Sequence, residues 1–270
     1  MYKARSSRYE QRKRRGNMSN IFTDETRNED RFKRLSVIAI NTLVFEHFKH
    51  FDVHGMSGSV DVFHGPNESG KTSLMEVIPW TIAMARNEDK AGTLHFLDTR
   101  LRHLIEVFER ENVLNVEQLH EVSILEELKL SENPQCEAQI EFVVAETLEL
   151  LREICLPTNV FGKIVHSVND AKELDQALKM RGDNNRLLVN FTFRLLQLII
   201  MNRQKQIRLP IIIDDLPQSL SDDYLHLMAK IMKKASRICQ IIATTADPTV
   251  AKVLDENKIN IIKMEACTPA

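Results

Sequence analysis

The second half of the chain alternates short hydrophobic runs with amphipathic segments. The runs at 208–215, 238–245 and 259–264 consist mainly of apolar residues. Strands of this kind are buried on both faces, which is typical of a parallel sheet covered by helices. Between the runs, residues 222–236 carry apolar positions at helical spacing, and a shorter helix is predicted from Pro248.

The first half contains two more strand-like segments ahead of a glycine-rich turn. The segment "LSVIAINTLVF" (35–45) is rich in Val, Ile and Thr, and "SVDVF" (59–63) follows the turn-rich "HGMSGS". After the glycine-rich turn, "KTSLMEVIPWTIAMA" (71–85) has helical character, and Pro79 is expected to kink or end that helix. The pattern therefore predicts strand, turn and helix in succession.

The middle of the chain is predicted to form a separate lobe. Residues 88–133 are acidic and helical in pattern, and we interpret them as an insertion. Residues 137–154 suit an antiparallel hairpin, although their second half suits a helix equally well. Residues 156–170 are interpreted as a linker, with helices following at 171–180 and 186–202.

Charge separates the N-terminus from the rest of the chain. The 270 residues carry a formal net charge of −2, so bulk charge does not mark the chain as a polyanion binder. Residues 1–17, however, are crowded with Lys and Arg and have few large aliphatic side chains. We predict a disordered basic tail over 1–33, which either contacts nucleic acid or is a solvated leader, or an extension upstream of a start at Met18.

The remaining sequence is predicted to be one domain with a short C-terminal tail. The predicted boundaries are 34–264 for the domain, divided into 34–87, 88–155 and 171–264, and 265–270 for the tail. The four cysteines show no C-x-x-C spacing, so neither a zinc site nor a disulfide framework is expected. No apolar run reaches the roughly 18 residues that a membrane span needs, and we predict a cytoplasmic chain without membrane contact.

The turn "GPNESGKT" (65–72) matches G-x-x-x-x-G-K-[ST] in full, between a strand and a helix. In such a P-loop the backbone N–H groups converge on the β-phosphate of a nucleotide, and the helix adds its positive end. Lys71 is expected to reach the β- and γ-phosphate oxygens, and the Thr72 hydroxyl to bind Mg²⁺, with Ser73 as a less favoured substitute. The predicted ATP-binding residues are Gly65, Pro66, Asn67, Glu68, Ser69, Gly70, Lys71, Thr72 and Ser73.

The segment "LPIIIDD" supplies the acidic half of such a site. Asp214, at the tip of the predicted buried strand, is expected to contact the Mg²⁺ shell. Asp215 is expected to polarise the attacking water as a general base, with Lys71 as the other catalytic residue. The alternative is that both carboxylates only cap the following segment. We favour the catalytic interpretation because the same chain carries a P-loop.

Taken together, "GPNESGKTSL", "LPIIIDDLPQSLSDD" and "QIIATTADP" resemble the ATPase heads of the SMC/RecF/RecN group of ABC-type ATPases. The double aspartate is most similar to the YhaN-type branch. The resemblance implies an α/β P-loop NTPase fold, with a mostly parallel core sheet flanked by helices and an antiparallel β lobe. It also implies a dimer that closes on Mg-ATP, with Ser219–Ser221 along the interface, possible DNA contact, and a nucleoid-associated location as an alternative to a cytoplasmic one.

Four features depart from the pattern of that group. The signature segment, where a serine is usual, reads "MRGDNN" (180–185), with Gly182 near the serine position. The switch histidine is absent, and Thr245 and Ala246 stand near its place. No long heptad run is present, and no Gln in 155–170 matches the Q-loop, with Gln139 a weak candidate on a predicted strand.

Two classes of function follow from these residues. The first is an ATPase head that dimerises on Mg-ATP and hydrolyses it slowly, in a DNA-repair, DNA-maintenance or defence complex. The second is a nucleotide-binding regulatory partner that does not hydrolyse ATP. A transporter ATPase subunit and a small-molecule kinase rank below both.

Overall fold

The computed structural model describes part of the chain. The described residues are 38–40, 51–53, 55–67, 69–72, 74–75, 78, 113–115, 119, 134–179, 182–204 and 210–265. All of them belong to one compact unit, Phe32–Ala270. The predicted basic tail, Pro79 and two P-loop residues, Glu68 and Ser73, lie outside the described residues.

In the described part of the chain, four strands come first, four helices follow, and strands and helices then alternate. The strands are β1 Ile38–Ile40, β2 Phe51–Val53, β3 Val60–His64, β4 Val113–Asn115, β5 Ile211–Asp214, β6 Ile241–Thr245 and β7 Asn260–Lys263. The helices are α1 Pro134–Ile154, α2 Val160–Ser167, α3 Ala171–Lys179, α4 Asp183–Gln204, α5 Asp222–Ala235 and α6 Pro248–Glu256.

Five strands build one parallel sheet in the order β4–β5–β6–β3–β7. Every residue of β6 is buried, as are the apolar residues of β3 and β5, whereas β7 at the edge is only half-buried. Helix α6 packs on β3, β6 and β7, and α1, α4 and α5 pack on one another. The predicted α/β class with a helix-flanked parallel sheet is therefore confirmed.

The antiparallel element lies in a different place from the predicted one. Strands β1 and β2 pair antiparallel, with Ala39 opposite Asp52. Residues 137–154, predicted as a hairpin, belong instead to the 21-residue helix α1. Most of its second half, for which a helix was the open alternative, is buried, including Glu146 and Thr147.

Two other predictions between 88 and 170 are wrong. Strand β4 lies inside the segment predicted to be helical, where it pairs parallel with β5. Helix α2 lies inside the predicted linker, and its N-cap is Asn159, whose side chain accepts a hydrogen bond from Gly162 N. That capping bond satisfies one of the N–H groups that a helix start leaves unpaired.

The loop that leads into β3 is organised by one buried carboxylate. Asp61 is fully buried in β3, and each of its two oxygens accepts two hydrogen bonds. Oδ1 accepts from Ser57 N at 2.6 Å and from Asn260 Nδ2 at 2.8 Å. Oδ2 accepts from Gly58 N at 3.2 Å and from Gln240 Nε2 at 2.9 Å. A buried charge of this kind is tolerated because donors surround it.

We expect Asp61→Asn to destabilise the fold by about 2 kcal/mol. The asparagine amide would turn one oxygen into a donor that faces two other donors, so those groups would lose their acceptor. Chemical denaturation, monitored by circular dichroism, measures the change. Asp255→Asn, the same change at an exposed position of α6, is the control and should leave the midpoint in place. Equal midpoints for wild type and Asp61→Asn would contradict this account.

Candidate functional site

The carboxyl ends of the five parallel strands meet at one edge of the sheet, which is where ligands bind in open α/β sheets. Strand β3 leads there into the glycine-rich turn, and β5 ends there at Asp214. Strand β6, which lies between them, ends there at Thr245. The order of the strands thus brings the turn and the acid pair to the same edge, although about 140 residues separate them in sequence.

The start of the turn is tightly packed. Gly65 is buried, and its N–H donates to Thr245 O at 3.4 Å. A Cβ atom at this position would lie 2.7 Å from both Met264 O and Ser69 Oγ, so only glycine fits. Gly70 has a φ of +82°, a backbone conformation that also favours glycine. The backbone of the turn therefore requires glycine at both of these positions of the motif.

Lys71 lies across the turn. Its Nζ donates to Gly65 O at 2.8 Å, to Pro66 O at 2.7 Å and to Ser69 Oγ at 3.4 Å. Burial lowers the pKa of Lys71, and the negative charges of Asp215 and Asp214 act in the opposite direction. The ammonium group thus lies within electrostatic range of both carboxylates.

The two acids are held in place by β6. Thr244, which is 1% exposed, donates through Oγ1 to Asp214 Oδ1 at 3.0 Å. Thr244 Oγ1 also accepts a hydrogen bond from Asp215 N at 2.8 Å. One hydroxyl therefore fixes the side chain of Asp214 and the backbone of Asp215 together.

The side chain of Asp215 is exposed and its backbone is unusual. Its φ of +53° lies in the left-handed region, which a residue other than glycine adopts only where its surroundings enforce it. Gln218 Nε2 donates to both of its carboxylate oxygens, at 3.3 Å to Oδ1 and 3.2 Å to Oδ2. The amide of Gln218 thus restricts how the carboxylate can turn.

The other predicted binding residues of the described turn differ in exposure. Pro66, Asn67 and Thr72 are exposed, and Ser69 is buried. Lys71 and Thr72 have helical backbone, as the motif predicts for the end of the turn. Thr72 therefore lies at the same sheet edge as the acid pair.

Two segments that depart from the SMC/RecF/RecN sequence pattern, around Gly182 and at Thr245, have defined contacts. Helix α4 begins at Asp183, directly after Gly182, whose φ is +88°. Asn185, in the first turn of α4, accepts a hydrogen bond from the hydroxyl of Tyr224 in α5. Thr245 is fully buried, and its Oγ1 accepts from Asp247 N at 3.2 Å.

The sequence analysis predicted Gln139 on a strand, but it lies on helix α1. Its Nε2 donates to Gln204 Oε1 at 3.1 Å, at the end of α4. This contact ties two helices together and gives Gln139 a structural role. Ser221 is exposed and is the N-cap residue of α5, so the Ser219–Ser221 segment leads directly into that helix.

Three residues near the site were not identified from the sequence. Thr244 and Gln218 contact the acids, and Asn115 ends β4 in register with Asp214. The sequence carried a partial signal for Thr244, because it lies at the end of a predicted buried strand. It carried none for β4, whose three residues are too few to show a period.

We expect Gln218→Ala to lower phosphate release about tenfold without changing nucleotide affinity. The substitution removes the donor that orients Asp215, so the effect should fall on kcat rather than on binding. A phosphate-release assay alongside calorimetry separates the two quantities. Gln176→Ala, at an exposed position of α3, is the matched control. Turnover equal to or above that of wild type would show that Gln218 does not position the carboxylate.

Comparisons with known proteins give a limited result. No family model and no curated protein sequence matches this chain. Among solved structures, CbiO1 from Clostridium perfringens, part of the ABC transporter complex cbiONQ, superposes with a TM-score of 0.49 at 12% identity over 87% of this chain and 86% of that one. The SMC head domain from Thermotoga maritima gives 0.46 at 13% identity over 83% of this chain and 92% of that chain. Because these values are low, function has to be argued from the site itself.

Proposed function

We propose that this chain is a P-loop ATPase that binds Mg-ATP at the carboxyl edge of its sheet and hydrolyses it slowly. The observation that carries the proposal is that Lys71 lies within electrostatic range of Asp214 and Asp215. The hydroxyl of Thr244 holds these two acids together. A P-loop lysine and an acid pair at the end of a neighbouring buried strand are the two halves that phosphoryl transfer to water requires.

The residues at this edge suit magnesium as well as phosphate. The carboxylate of Asp214 is half-buried and the hydroxyl of Thr72 is exposed, and both offer the oxygen ligands that Mg²⁺ prefers. Thr72 and Asp214 are the residues that would hold the ion. When bound, it would neutralise part of the negative charge on the phosphate oxygens.

Each side chain has a defined task in the proposed reaction. Lys71 exchanges its two carbonyl acceptors in the turn for phosphate oxygens, which it reaches by rotating its side chain. The backbone N–H groups of the turn bind the same phosphate group. Asp215 accepts a hydrogen bond from the attacking water and takes its proton as the water oxygen bonds to the γ-phosphorus. The bond between the γ-phosphorus and the β–γ bridging oxygen breaks in the same step, which releases ADP and inorganic phosphate. Gln218 keeps the carboxylate of Asp215 in one orientation during this step.

The proposal includes a nucleotide-dependent dimer of the SMC or ABC head type. The start of α4 follows a left-handed glycine, and its first N–H groups form a site where a γ-phosphate from a second copy can bind. The segment "MRGDNN" lacks a serine hydroxyl there, and the loss of one donor to developing charge slows such reactions about 100- to 1,000-fold. Slow turnover is the consequence.

A second candidate function is a regulatory partner that binds nucleotide without hydrolysing it. It is supported by the two hydrogen bonds from Gln218 to Asp215, which occupy acceptor sites that a general base needs. ATP would then act as a ligand that stabilises one assembly state.

Calorimetry and phosphate release together test the proposal. The folded full chain is titrated with ATP in the presence and absence of Mg²⁺, and phosphate release is then followed at saturating Mg-ATP. Uptake of ATP with slow release supports the ATPase. Uptake without release supports the regulatory partner, and no uptake by folded protein contradicts both.

The proposed setting is a DNA-repair, DNA-maintenance or defence complex. Support comes from the resemblance and from the Lys and Arg residues within 1–17. If these residues contact the DNA backbone, removing residues 1–20 should weaken DNA binding and flatten its dependence on salt. Equal affinity of the shortened and full chains would exclude the basic segment as a DNA contact.

A further inference from the structure

A second cavity lies at the opposite edge of the sheet from the P-loop. It has a volume of about 390 Å³ and is lined by residues at the starts of two strands and at the ends of two helices. The lining residues are Gly55, Ser57, Ser59, Val60, Lys233, Lys258, Ile259 and Asn260. Its volume is within the range of sites for small molecules. Because β3 and β7 are parallel and begin at this edge, the cavity is separate from the candidate ATPase site.

Hydrogen bonds fix the walls of this cavity. Asn260 Nδ2 donates to Asp61 Oδ1 and also to Gly55 O at 2.9 Å, which ties the first residue of β7 to the loop before β3. The hydroxyl oxygens of Ser59 and Ser236 are 2.7 Å apart. Lys233 Nζ donates to Asn257 O at 3.0 Å, which holds its ammonium group at the rim. The shape of the cavity is thus largely preformed.

The charge at the rim is positive. Lys233 and Lys258 line the cavity, and no acidic residue is among its described lining residues. Within the part of the chain that the structure describes, neither lysine forms a salt bridge. The carboxylate of Asp61 lies behind the wall, with four donors around it. The two ammonium groups are therefore available for an anion, whereas the hydroxyl of Ser59 is hydrogen-bonded to Ser236 Oγ and the hydroxyl of Ser57 donates to Val60 O at 3.4 Å.

Lys258 occupies a position where glycine would be more stable. It follows the C-cap of α6 with a φ of +60°, and its N–H donates to Asp255 O at 2.7 Å. The left-handed conformation is less favourable for a residue with a side chain than for glycine. The charged side chain stands at the cavity despite this cost.

We propose that this cavity binds a small phosphorylated ligand. The two lysines would contact its phosphate group, since compact ammonium groups are good partners for phosphate oxygens. Val60 and Ile259, both buried, supply the apolar part of the wall. The cavity is larger than a single phosphate group needs, so part of the ligand beyond the phosphate also fits.

The test uses the full chain with Lys71→Ala, so that phosphate does not report on the P-loop. Backbone amide signals are followed by NMR during titration with inorganic phosphate and, separately, with glycerol 3-phosphate, up to about 10 mM. We expect Ser57, Ser59 and Lys258 to shift with both probes, and glycerol 3-phosphate to bind at least as tightly. No shift at these residues with either probe would overturn the proposal.

Four lysine substitutions then separate a specific site from general surface charge. Lys233→Met and Lys258→Met should each weaken binding about fivefold, and Lys252→Met, an exposed lysine on α6 that does not line the cavity, less than about twofold. Lys258→Gly should weaken binding as much as Lys258→Met while keeping or raising the thermal midpoint. Equal losses for Lys252→Met and Lys258→Met would refute a specific site. Nucleotide binding by the wild-type chain is independent of these outcomes.

Discussion

Asp215→Asn is expected to lower the rate of phosphate release by about 100- to 1,000-fold while ATP binding is kept. Asparagine preserves the shape of the side chain but does not accept a proton, so the water would attack without a general base. The left-handed backbone at this position also tolerates asparagine well. Single-turnover phosphate release measures the rate, and calorimetry measures the affinity for Mg-ATP.

The same variant reports on the proposed dimer. Since ATP remains bound for longer, light scattering should detect more dimer for Asp215→Asn with Mg-ATP than for wild type. Asp255→Asn, exposed on α6, is the control and should behave as wild type in all three measurements. If Asp215→Asn hydrolyses ATP at the wild-type rate, another group is the general base, and the assignment of Asp215 is wrong.

Lys71→Ala is expected to weaken Mg-ATP binding about 100-fold, because two or more charge-assisted hydrogen bonds to phosphate are lost. The fold should persist, since the acceptors of Lys71 Nζ include the carbonyl of Pro66, whose residue is exposed to water. Calorimetry measures the affinity, and circular dichroism confirms the fold.

Lys230→Ala, at an exposed position of α5, tests whether the loss is specific to Lys71. It removes the same charge from the chain and should leave the affinity for Mg-ATP unchanged. Similar losses for both variants would mean that net charge, rather than the P-loop, governs the binding. No loss for Lys71→Ala would remove the lysine from the site.

The sheet and the P-loop turn could be predicted from the sequence because local sequence preferences and tertiary packing favour the same structure there. The apolar runs that became β5 and β6 have no polar face, which in itself indicates burial on both sides. The motif 65–72 is specific because its glycines cannot be replaced without strain. At Gly65, for example, a Cβ atom would lie too close to neighbouring atoms. In these places the residue pattern and the packing impose the same structure.

Helix α1 was mispredicted because packing overrides local preference. Its first part contains Ile140, Phe142, Val143 and Val144, which favour strands when they occur together. The helix is nevertheless favoured, since Phe142, Val143 and Val144 are buried in it and it packs on α4 and α5. Thr147 illustrates the adaptation, because its buried hydroxyl donates to Val143 O within the same helix at 2.7 Å.

The contacts that complete the site depend on distant residues. Thr244 reaches Asp214 and Asp215 only because β5 and β6 are neighbours in register, a fact that the order of the strands decides and the local sequence does not. Gln218 reaches Asp215 because a left-handed residue bends the chain back on itself. Neither arrangement has a spacing in the sequence that would reveal it.

The position of β3 inside the sheet has a consequence for how the chain matures during synthesis. Its two partners are β6 and β7, so Val60 pairs with Ile241 and Asp61 with Asn260. Strand β3 therefore has no partner strand while the ribosome adds roughly 180 more residues. At 5–20 residues per second, this takes about 10 to 40 s. A nascent chain that stalls before Ile241 has the complete P-loop motif but no strand on either side of β3. If the turn binds nucleotide as proposed, nucleotide can act as a folding ligand only after β6 and β7 have left the ribosome.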